Sequence, residues 1–400
     1  MTRHDVLLNW QLGTGFGWGL LGVNLFGQWA HDANLRPIMG FPIESGQLNT
    51  LDPLRKLLLS PAVDLSNAYL RRLGPGDPSV CLDAIQIDGM GNDFVSPAER
   101  RSKLMIGRPV FETSALEFAR DRLARYDLLL TASTWSADLL ASATGRRAEV
   151  IHEGVDLATF CPGARSGWMD PNRFYVFSGG KIEFRKAQDL ALLAFGRFAA
   201  RHGDVTLVTA WQSPWPDLAE GFKGRLTVPV RRAAGGLLDV KGWVAANGLD
   251  ADRVVDLGHV PNVLLPQVLR EMHVALQPSR AEACTNLAVK EAMACGVPVI
   301  AAYNTGMRDL LTDDNSLPLR HQSPVTTAVE HGAPLGIGTE GWGESDIEEM
   351  LEALEFVYRN RDAAATVGAA GRAWLLEHDR TWPGHAAKLK SWLLQQAAAH

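Results

Sequence analysis

Four hundred residues, 46% hydrophobic and 21% charged, describe an ordinary globular chain that is too long for one hydrophobic core, so two domains are expected. A formal charge of −6 argues against a general nucleic-acid binder, which carries a basic surplus. No apolar run reaches the ~18–20 residues of a membrane span, and no apolar signal segment opens the chain. Cys81, Cys161, Cys284 and Cys295 are scattered without a C-x-x-C pair, which suits reduced thiols in a cytoplasmic protein better than a disulfide framework or a zinc site.

Short apolar runs alternate with longer amphipathic ones, the pattern of an α/β chain built on parallel sheets. In the first half the predicted strands are Val6–Asn9, Arg36–Met39, Val80–Ile87, Pro109–Phe111, Leu128–Ala132 and Glu149–Ile151. Gly13-Thr14-Gly15-Phe16-Gly17-Trp18-Gly19 follows the first strand, where glycines let the backbone approach a ligand closely. Gly17-x-Gly19-x-x-Gly22 also has dinucleotide-fingerprint spacing, although it starts some eight residues beyond the strand. Phe41–Leu59 and Asp88–Lys103 read as loops. Within the second, Arg100-Arg101-Ser102-Lys103 is a basic run that is either a solvated face or a point of peripheral contact with a membrane surface. A helix is expected over Ser114–Tyr126, capped by Ser114, with Leu116, Phe118, Ala119 and Leu123 as its apolar face.

After Thr159-Phe160-Cys161-Pro162-Gly163 the composition turns to Gly, Pro, Asp and Asn, which marks 161–172 as a linker. The second half restarts with strands at Phe174–Phe177, Val205–Thr209, Val254–Asp256, Val274–Leu276, Val297–Ala301 and Ser316–Leu319. Asp250-Ala251-Asp252 has the D-x-D spacing of some metal sites but lies in a polar turn and is assigned to a surface loop. Trp374–Leu376 and Trp382–Leu394 read as two helices around Thr381-Trp382-Pro383. The expected architecture is two Rossmann-like domains, 1–160 and 173–379, facing a central cleft that holds the active site.

The most informative stretch runs from Val274 to Ile300. A buried strand leads into a polar loop with Glu282, then into a helix that Thr285-Asn286 would cap and Gly296 would end. A helix N-terminus offers unpaired backbone N–H groups and positive dipole charge, which suit a phosphate. Glu291, further along that helix, is placed to accept hydrogen bonds from sugar hydroxyls. These residues point to a nucleotide-diphosphate sugar.

The segment resembles the donor signature of the family-four retaining glycosyltransferases, which have the two-Rossmann-domain GT-B fold. Two glutamates flank the loop there with seven intervening residues; here eight separate Glu282 from Glu291, and Glu-Ala-Cys-Thr-Asn-Leu replaces Glu-Gly-Phe-Gly. Ile151-His152-Glu153-Gly154-Val155-Asp156, with Phe160 and Pro162, is similar to the family's interdomain segment. Ser178-Gly179-Gly180-Lys181-Ile182-Glu183-Phe184-Arg185-Lys186 is similar to its diphosphate loop, with Lys181 at the usual arginine position and Lys186 at the lysine. The resemblance implies that the last helix, 380–400, packs back on the first domain.

It further implies donor binding by Gly15, Phe16 and Gly17 of the first loop, by Lys181, Arg185 and Lys186, by Val260 at the edge that holds the base, and by Thr285, Asn286, Leu287 and Glu291. Glu282 and Lys186 are the implied catalytic residues. The family's usual first-domain histidine has no counterpart between His31 and His152, and Glu112 is taken as its hydroxyl-binding or acid/base replacement. The expected activity is metal-independent, retaining transfer of a sugar to an acceptor hydroxyl, with no cofactor beyond the donor. Two alternatives stay open: a non-catalytic relative that only binds nucleotide sugar, and a dinucleotide-dependent oxidoreductase resting on Gly17–Gly22.

Overall fold

A computed structural model describes residues 3–49, 51–74, 79–213, 215–326 and 338–400. The chain divides into two units. The first comprises Met1–Phe111, Leu116–Gly154 and Asp379–His400; the second comprises Glu112–Ala115 and Val155–His378.

In the first unit, runs such as Val6-Leu7-Leu8 are buried at successive positions, so both faces of the strand are covered. Six parallel strands result: β1 (His4–Asn9), β2 (Leu35–Met39), β3 (Cys81–Met90), β4 (Arg101–Pro109), β5 (Leu128–Thr131) and β6 (Glu149–Val150). Their order is β2-β1-β3-β4-β5-β6. The intervening helices are α1 (Gly17–Trp29), α2 (Pro53–Leu73), α3 (Ala119–Leu123) and α4 (Thr134–Thr144). Because β2 lies on one side of β1 and β3 on the other, the strand order reverses between β1 and β3, where open α/β sheets leave a crevice at their carboxyl ends.

Several expectations for this unit are corrected. The strand placed at Pro109–Phe111 is the tail of β4, which begins at Arg101 inside the segment read as a loop. The basic run is therefore not a continuous surface: Arg100 is buried and donates from Nη1 to Asn9 Oδ1 (3.2 Å) and Gly40 O (2.9 Å), and Ser102 donates to Gln86. Lys103 is exposed but paired with Asp83 at 2.9 Å. The last part of the segment Phe41–Leu59, from Pro53 on, belongs to α2, a helix that continues past Pro61 to Leu73. The helix over Ser114–Tyr126 shrinks to Ala119–Leu123, with Phe118 rather than Ser114 at its N-cap, and the Ser114 N–H donates to Glu340 O (2.9 Å). Gly17, Gly19 and Gly22 lie within α1, not in the turn after β1. A Cβ on Gly19 would sit 2.3 Å from Gly13 O, so this glycine serves helix-on-loop packing, and the dinucleotide alternative loses its basis.

The second unit repeats the design with β7 (Phe174–Gly179), α5 (Gln188–Arg201), β8 (Val205–Ala210), α6 (Pro216–Ala219), α7 (Val240–Ala246), β9 (Val254–Asp256), α8 (Leu265–Leu269) and β10 (Val274–Gln277). It continues through α9 (Leu287–Ala294), β11 (Val299–Ala302), β12 (Leu317–Leu319), the hairpin strands β13 (Gln322–Pro324) and β14 (Gly343–Ser345), α10 (Ile347–Arg359) and α11 (Arg361–Glu377). The parallel order is β12-β11-β10-β7-β8-β9, so the reversal falls between β7 and β10. Val155, Phe160 and Met169, from the hinge and linker region, are buried in this unit's core. The D-x-D turn is a short 3-10 turn in which Asp250 caps and pairs Arg253, as its assignment to a surface loop requires.

The last helix, α12 (Trp382–Ala399), belongs to the first unit. His385 Nδ1 lies 2.9 Å from His152 O, and a Cβ on Gly154 would overlap the Thr381 carbonyl, so the chain segments enter and leave this unit in close contact.

Candidate functional site

The loops after β7 and β10 meet at the reversal point of the second sheet. After β7, Gly180 has φ 106°, which turns the chain so that Lys181, Glu183, Arg185 and Lys186 follow one another before α5. After β10 come Ser279, Arg280 and Glu282. Glu282 binds across the gap: Oε1 accepts from Lys186 Nζ at 2.7 Å and Oε2 from Arg185 Nη1 at 2.8 Å. Oε1 also accepts from Asn286 Nδ2 at 2.8 Å. Burial alone would raise the Glu282 carboxyl, but the two cations outweigh it and bring it down to about 2. Burial lowers the Lys186 ammonium, and Glu282 only partly restores it.

Arg185 is enclosed by three carboxylates. Besides Glu282 it meets Glu183 at 2.5 Å and Glu112 at 3.4 Å, and Nη1 donates to Ala281 O. Glu112 is held beside it by its own carbonyl, which accepts from Trp342 Nε1 at 2.8 Å. Sequence residues Glu112, Arg185, Lys186, Glu282 and Asn286 are thus brought into one cluster. Lys181 is more open; it pairs with Glu183 at 2.8 Å and lies 5.1 Å from the centre of the Trp215 ring.

Asn286 caps α9 by accepting from Ala288 N at 2.9 Å, so Thr285 to Leu287 form the helix entrance and α9 aims its positive end from there. Glu291, one turn in, is buried and accepts from Asn262 Nδ2 at 2.6 Å. Burial pushes its carboxyl up to about 7, an effect that Asn262 only partly offsets. Val260, two residues before Asn262, packs on the core beside α9.

Three features escaped the sequence reading. Arg280 is completely buried, donates to both oxygens of Asp189 (2.6 and 2.9 Å), to Glu344 (2.8 Å) and to Phe184 O (2.7 Å), and stacks 4.1 Å from the Phe184 ring centre. Its backbone N–H donates to Arg185 O at 2.7 Å, so it fastens the two loops together. Asn262 was missed because its partner lies on another element. Thr305 and Gly306 form a clamp on Glu282, whose N–H donates to Thr305 Oγ1 (2.8 Å) and whose carbonyl accepts from Gly306 N (2.9 Å). Thr305 adopts φ 40°, an uncommon state for a β-branched residue.

Gly15 and Phe16 lie in the first unit on the loop that enters α1, and Gly17 is the first residue of that helix. At that unit's own reversal point is a pocket of about 280 Å³ lined by Trp10, Gln11, Phe16, Trp18, Phe41, Gly89, Gly91 and Pro97. Beneath it Asp88 accepts from Asn9 Nδ2, Gln86 Nε2, Ser96 Oγ and Tyr126 Oη at 2.7–2.8 Å, a fully engaged carboxylate that fixes the pocket floor.

Comparison with known proteins agrees with this geometry. Residues 173–330 match the family model described as Glycosyl transferases group 1. Among curated relatives, a D-inositol 3-phosphate glycosyltransferase of Mycolicibacterium vanbaalenii is 37% identical over 175 residues, covering 42% of this chain and 36% of that protein. A GDP-mannose-dependent alpha-(1-6)-phosphatidylinositol monomannoside mannosyltransferase of Mycobacterium tuberculosis is 28% identical over 302 residues, 72% of this chain and 67% of the relative. The first of these matches therefore spans well under two thirds of the relative's length. Among solved structures, sucrose-phosphate synthase from Thermosynechococcus elongatus superposes with a TM-score of 0.67 at 17% identity over 100% of both chains. Anabaena HepE in complex with UDP-glucose does so with 0.61 at 16% identity, over 98% of this chain and 100% of that one. The chain has the GT-B fold, and its second unit carries a group 1 glycosyl transferase domain of the family-four type.

Two substitutions test this geometry. Arg280→Ala takes the buried cation from Asp189 and leaves Glu344 with Arg225 alone, and is expected to cost about 3–5 kcal/mol in denaturant unfolding. A Cβ on Gly306 would lie 2.4 Å from Cys284 O and 2.8 Å from Glu282 O. Gly306→Ala should therefore displace the Glu282 loop, and a crystal structure of the variant with that loop unmoved would refute the clamp.

Proposed function

We propose that this protein is a retaining glycosyltransferase that moves a sugar from a nucleotide-diphosphate donor to an acceptor hydroxyl without a metal ion. The observation that carries the reading is the meeting of Lys181, Arg185, Lys186, Glu282 and the α9 entrance at the β7/β10 reversal, within the domain matched to the family. In this reading the diphosphate takes Lys186 and Lys181 as partners and rests on the N–H groups at Thr285–Leu287, and these fixed positive charges stabilise it as it leaves. Arg185, held by three carboxylates, positions Glu282 and Glu112 and is less available to phosphate than either lysine. Glu282 then binds hydroxyls of the donor sugar, and Glu291 accepts from the ribose beside Val260.

The acceptor site in this reading is the first unit's aromatic pocket, to which Phe41 of the segment Phe41–Leu59 and Gly91 and Pro97 of the segment Asp88–Lys103 contribute. Phe16 lines it, flanked in the chain by Gly15 and Gly17. The relatives' names specify GDP-mannose as a donor, inositol phosphate and phosphatidylinositol mannoside as glycosylated classes, and one structural neighbour was solved with UDP-glucose. The two relatives share glycosyl transfer by name, and a nucleotide sugar is named for the mannosyltransferase and for the structural neighbour.

A thermal-shift panel with UDP, GDP, ADP, CDP and NAD tests the donor site directly, since a ligand that binds only the folded state raises its midpoint. A shift with one nucleoside diphosphate is expected; a shift with NAD alone would overturn the assignment. With that donor, Lys186→Ala should lower turnover by at least about a hundredfold by removing an electrostatic stabiliser of the leaving group. Glu112→Gln leaving turnover within about twofold would remove Glu112 from the mechanism.

The Glu291 carboxyl predicts the sign of a pH effect. Protonated below about 7, it loses the charge that ribose hydroxyls donate to. Diphosphate affinity should therefore rise with pH through 7, by up to about tenfold per pH unit for one linked proton. Glu291→Gln should flatten that part of the profile while leaving the part due to phosphate ionisation, as isothermal titration across pH 6–8 (roughly one unit either side of this value) would show.

A further inference from the structure

The first unit's pocket is a corner built from two indoles. Trp10 directly follows β1 and Trp18 lies in the first turn of α1, and their rings meet edge to face, with centroids 6.2 Å apart at 67°. Trp10 Nε1 donates to Trp18 O at 3.1 Å, which fixes the first indole in place. Gly89 of β3 makes the room: a Cβ there would lie 2.4 Å from Trp18 Cζ3 and 3.1 Å from Trp10 Cε3. Any side chain at this position would push the indoles off the strand, so the corner exists because the strand carries glycine where it passes them. Phe16 and Phe41 extend the apolar wall. The enclosed volume of about 280 Å³ is near the low end of the ~300–1,000 Å³ of small-ligand sites, room for a compact ring system.

The polarity of the lining narrows the choice of ring. None of the lining side chains is ionisable. Arg108 lies 5.3 Å from the Trp18 ring centre, but it is buried, paired with Glu153 and does not line the pocket. With Trp10 Nε1 committed, Gln11 and Trp18 are the lining side chains left to hydrogen-bond a ligand. That is too few for a polyol, since each hydroxyl taken from water needs a partner. It also lacks the fixed cation that phosphate groups favour. The start of α1, where Phe16 makes no side-chain cap, does attract an anion, so a phosphorylated ring is the sharpest competitor. A planar aromatic ring suits the corner better. Laid on one indole, it meets the edge of the other, which are the two geometries that aromatic pairs prefer, and its hydroxyl needs few partners.

We propose that the acceptor is a hydroxylated aromatic ring compound seated in the Trp10–Trp18 corner, rather than a phosphorylated polyol of the kind named for the relatives. The proposal rests on the reading of this pocket as the acceptor site and goes beyond it in naming what the pocket takes.

Titration calorimetry of the full chain with umbelliferone, a fused-ring aromatic alcohol, tests it against inositol phosphate and mannose. Saturable binding of umbelliferone is expected, weakened about tenfold or more in Trp18→Ala by loss of the stacking face. A Cβ on Gly91 would meet nothing within 4 Å except Asp93 Oδ1 at 3.8 Å, so Gly91→Leu can fill the pocket without strain and should abolish binding. Circular dichroism shows whether each variant is folded. Absence of umbelliferone binding to the wild-type chain would overturn the proposal. So would binding untouched by both substitutions, or binding of inositol phosphate or mannose in its place. The nucleoside diphosphate panel reads the second unit separately. A diphosphate shift without umbelliferone binding overturns this proposal alone, whereas umbelliferone binding without any diphosphate shift overturns the transferase reading on which it rests.

Discussion

The second unit's site depends on one carboxylate. Glu282 reaches from the loop after β10 to Lys186 and Arg185 in the loop after β7 and joins both cations. Two buried cations this close would repel without it, and Glu282 unpaired would be neutral rather than held down to about 2. Its backbone is fixed independently by Thr305 and Gly306, and its loop by Arg280. The arrangement is preorganised: the charges are positioned by the fold before any ligand arrives, which is the condition under which electrostatics lowers a barrier most.

What was readable in the sequence is what is local. The strand-loop-helix run from Val274 to Ile300 carries its own start and stop signals, and Asn286 caps α9 where those signals placed it. The loop after β7 was equally readable, since its charged residues follow one buried strand without interruption. Partners distant in the chain were not. Asn262 meets Glu291 from 29 residues away, and Arg280 meets Glu344 from 64 and Asp189 from 91. No spacing rule links such pairs. Arg280 in particular looks like a surface residue at the mouth of a loop, and only the packing of β7, β10 and β14 shows it to be fully buried.

The misread elements have a common cause. Periodicity assumes that apolar side chains face inward. β4 opens on Arg101-Ser102-Lys103 and so read as a loop, although Ser102 is buried and bonded to Gln86. α2 shows the reverse: its leucines are on the wrong side, a proline sits inside it, and its inner face is polar. Each is a place where local preference and tertiary position disagree.

The two sheets follow the same rule with different contents, and the contrast bears on how labour is divided within the chain. Both reverse strand order once, between β1 and β3 in one and between β7 and β10 in the other. Each reversal opens a crevice at the strands' carboxyl ends. In the second unit that crevice is lined by ionised groups and a helix N-terminus, a setting for a ligand whose charge changes during reaction. In the first it is lined by Trp10, Phe16, Trp18 and Phe41, over an Asp88 whose hydrogen bonds are already satisfied within the protein. Aromatic faces recognise the apolar side of a ring. Under the proposed function, leaving-group stabilisation falls to the second unit and ring recognition to the first, so substitutions among the aromatic residues of the first unit would leave the charge network of the second intact.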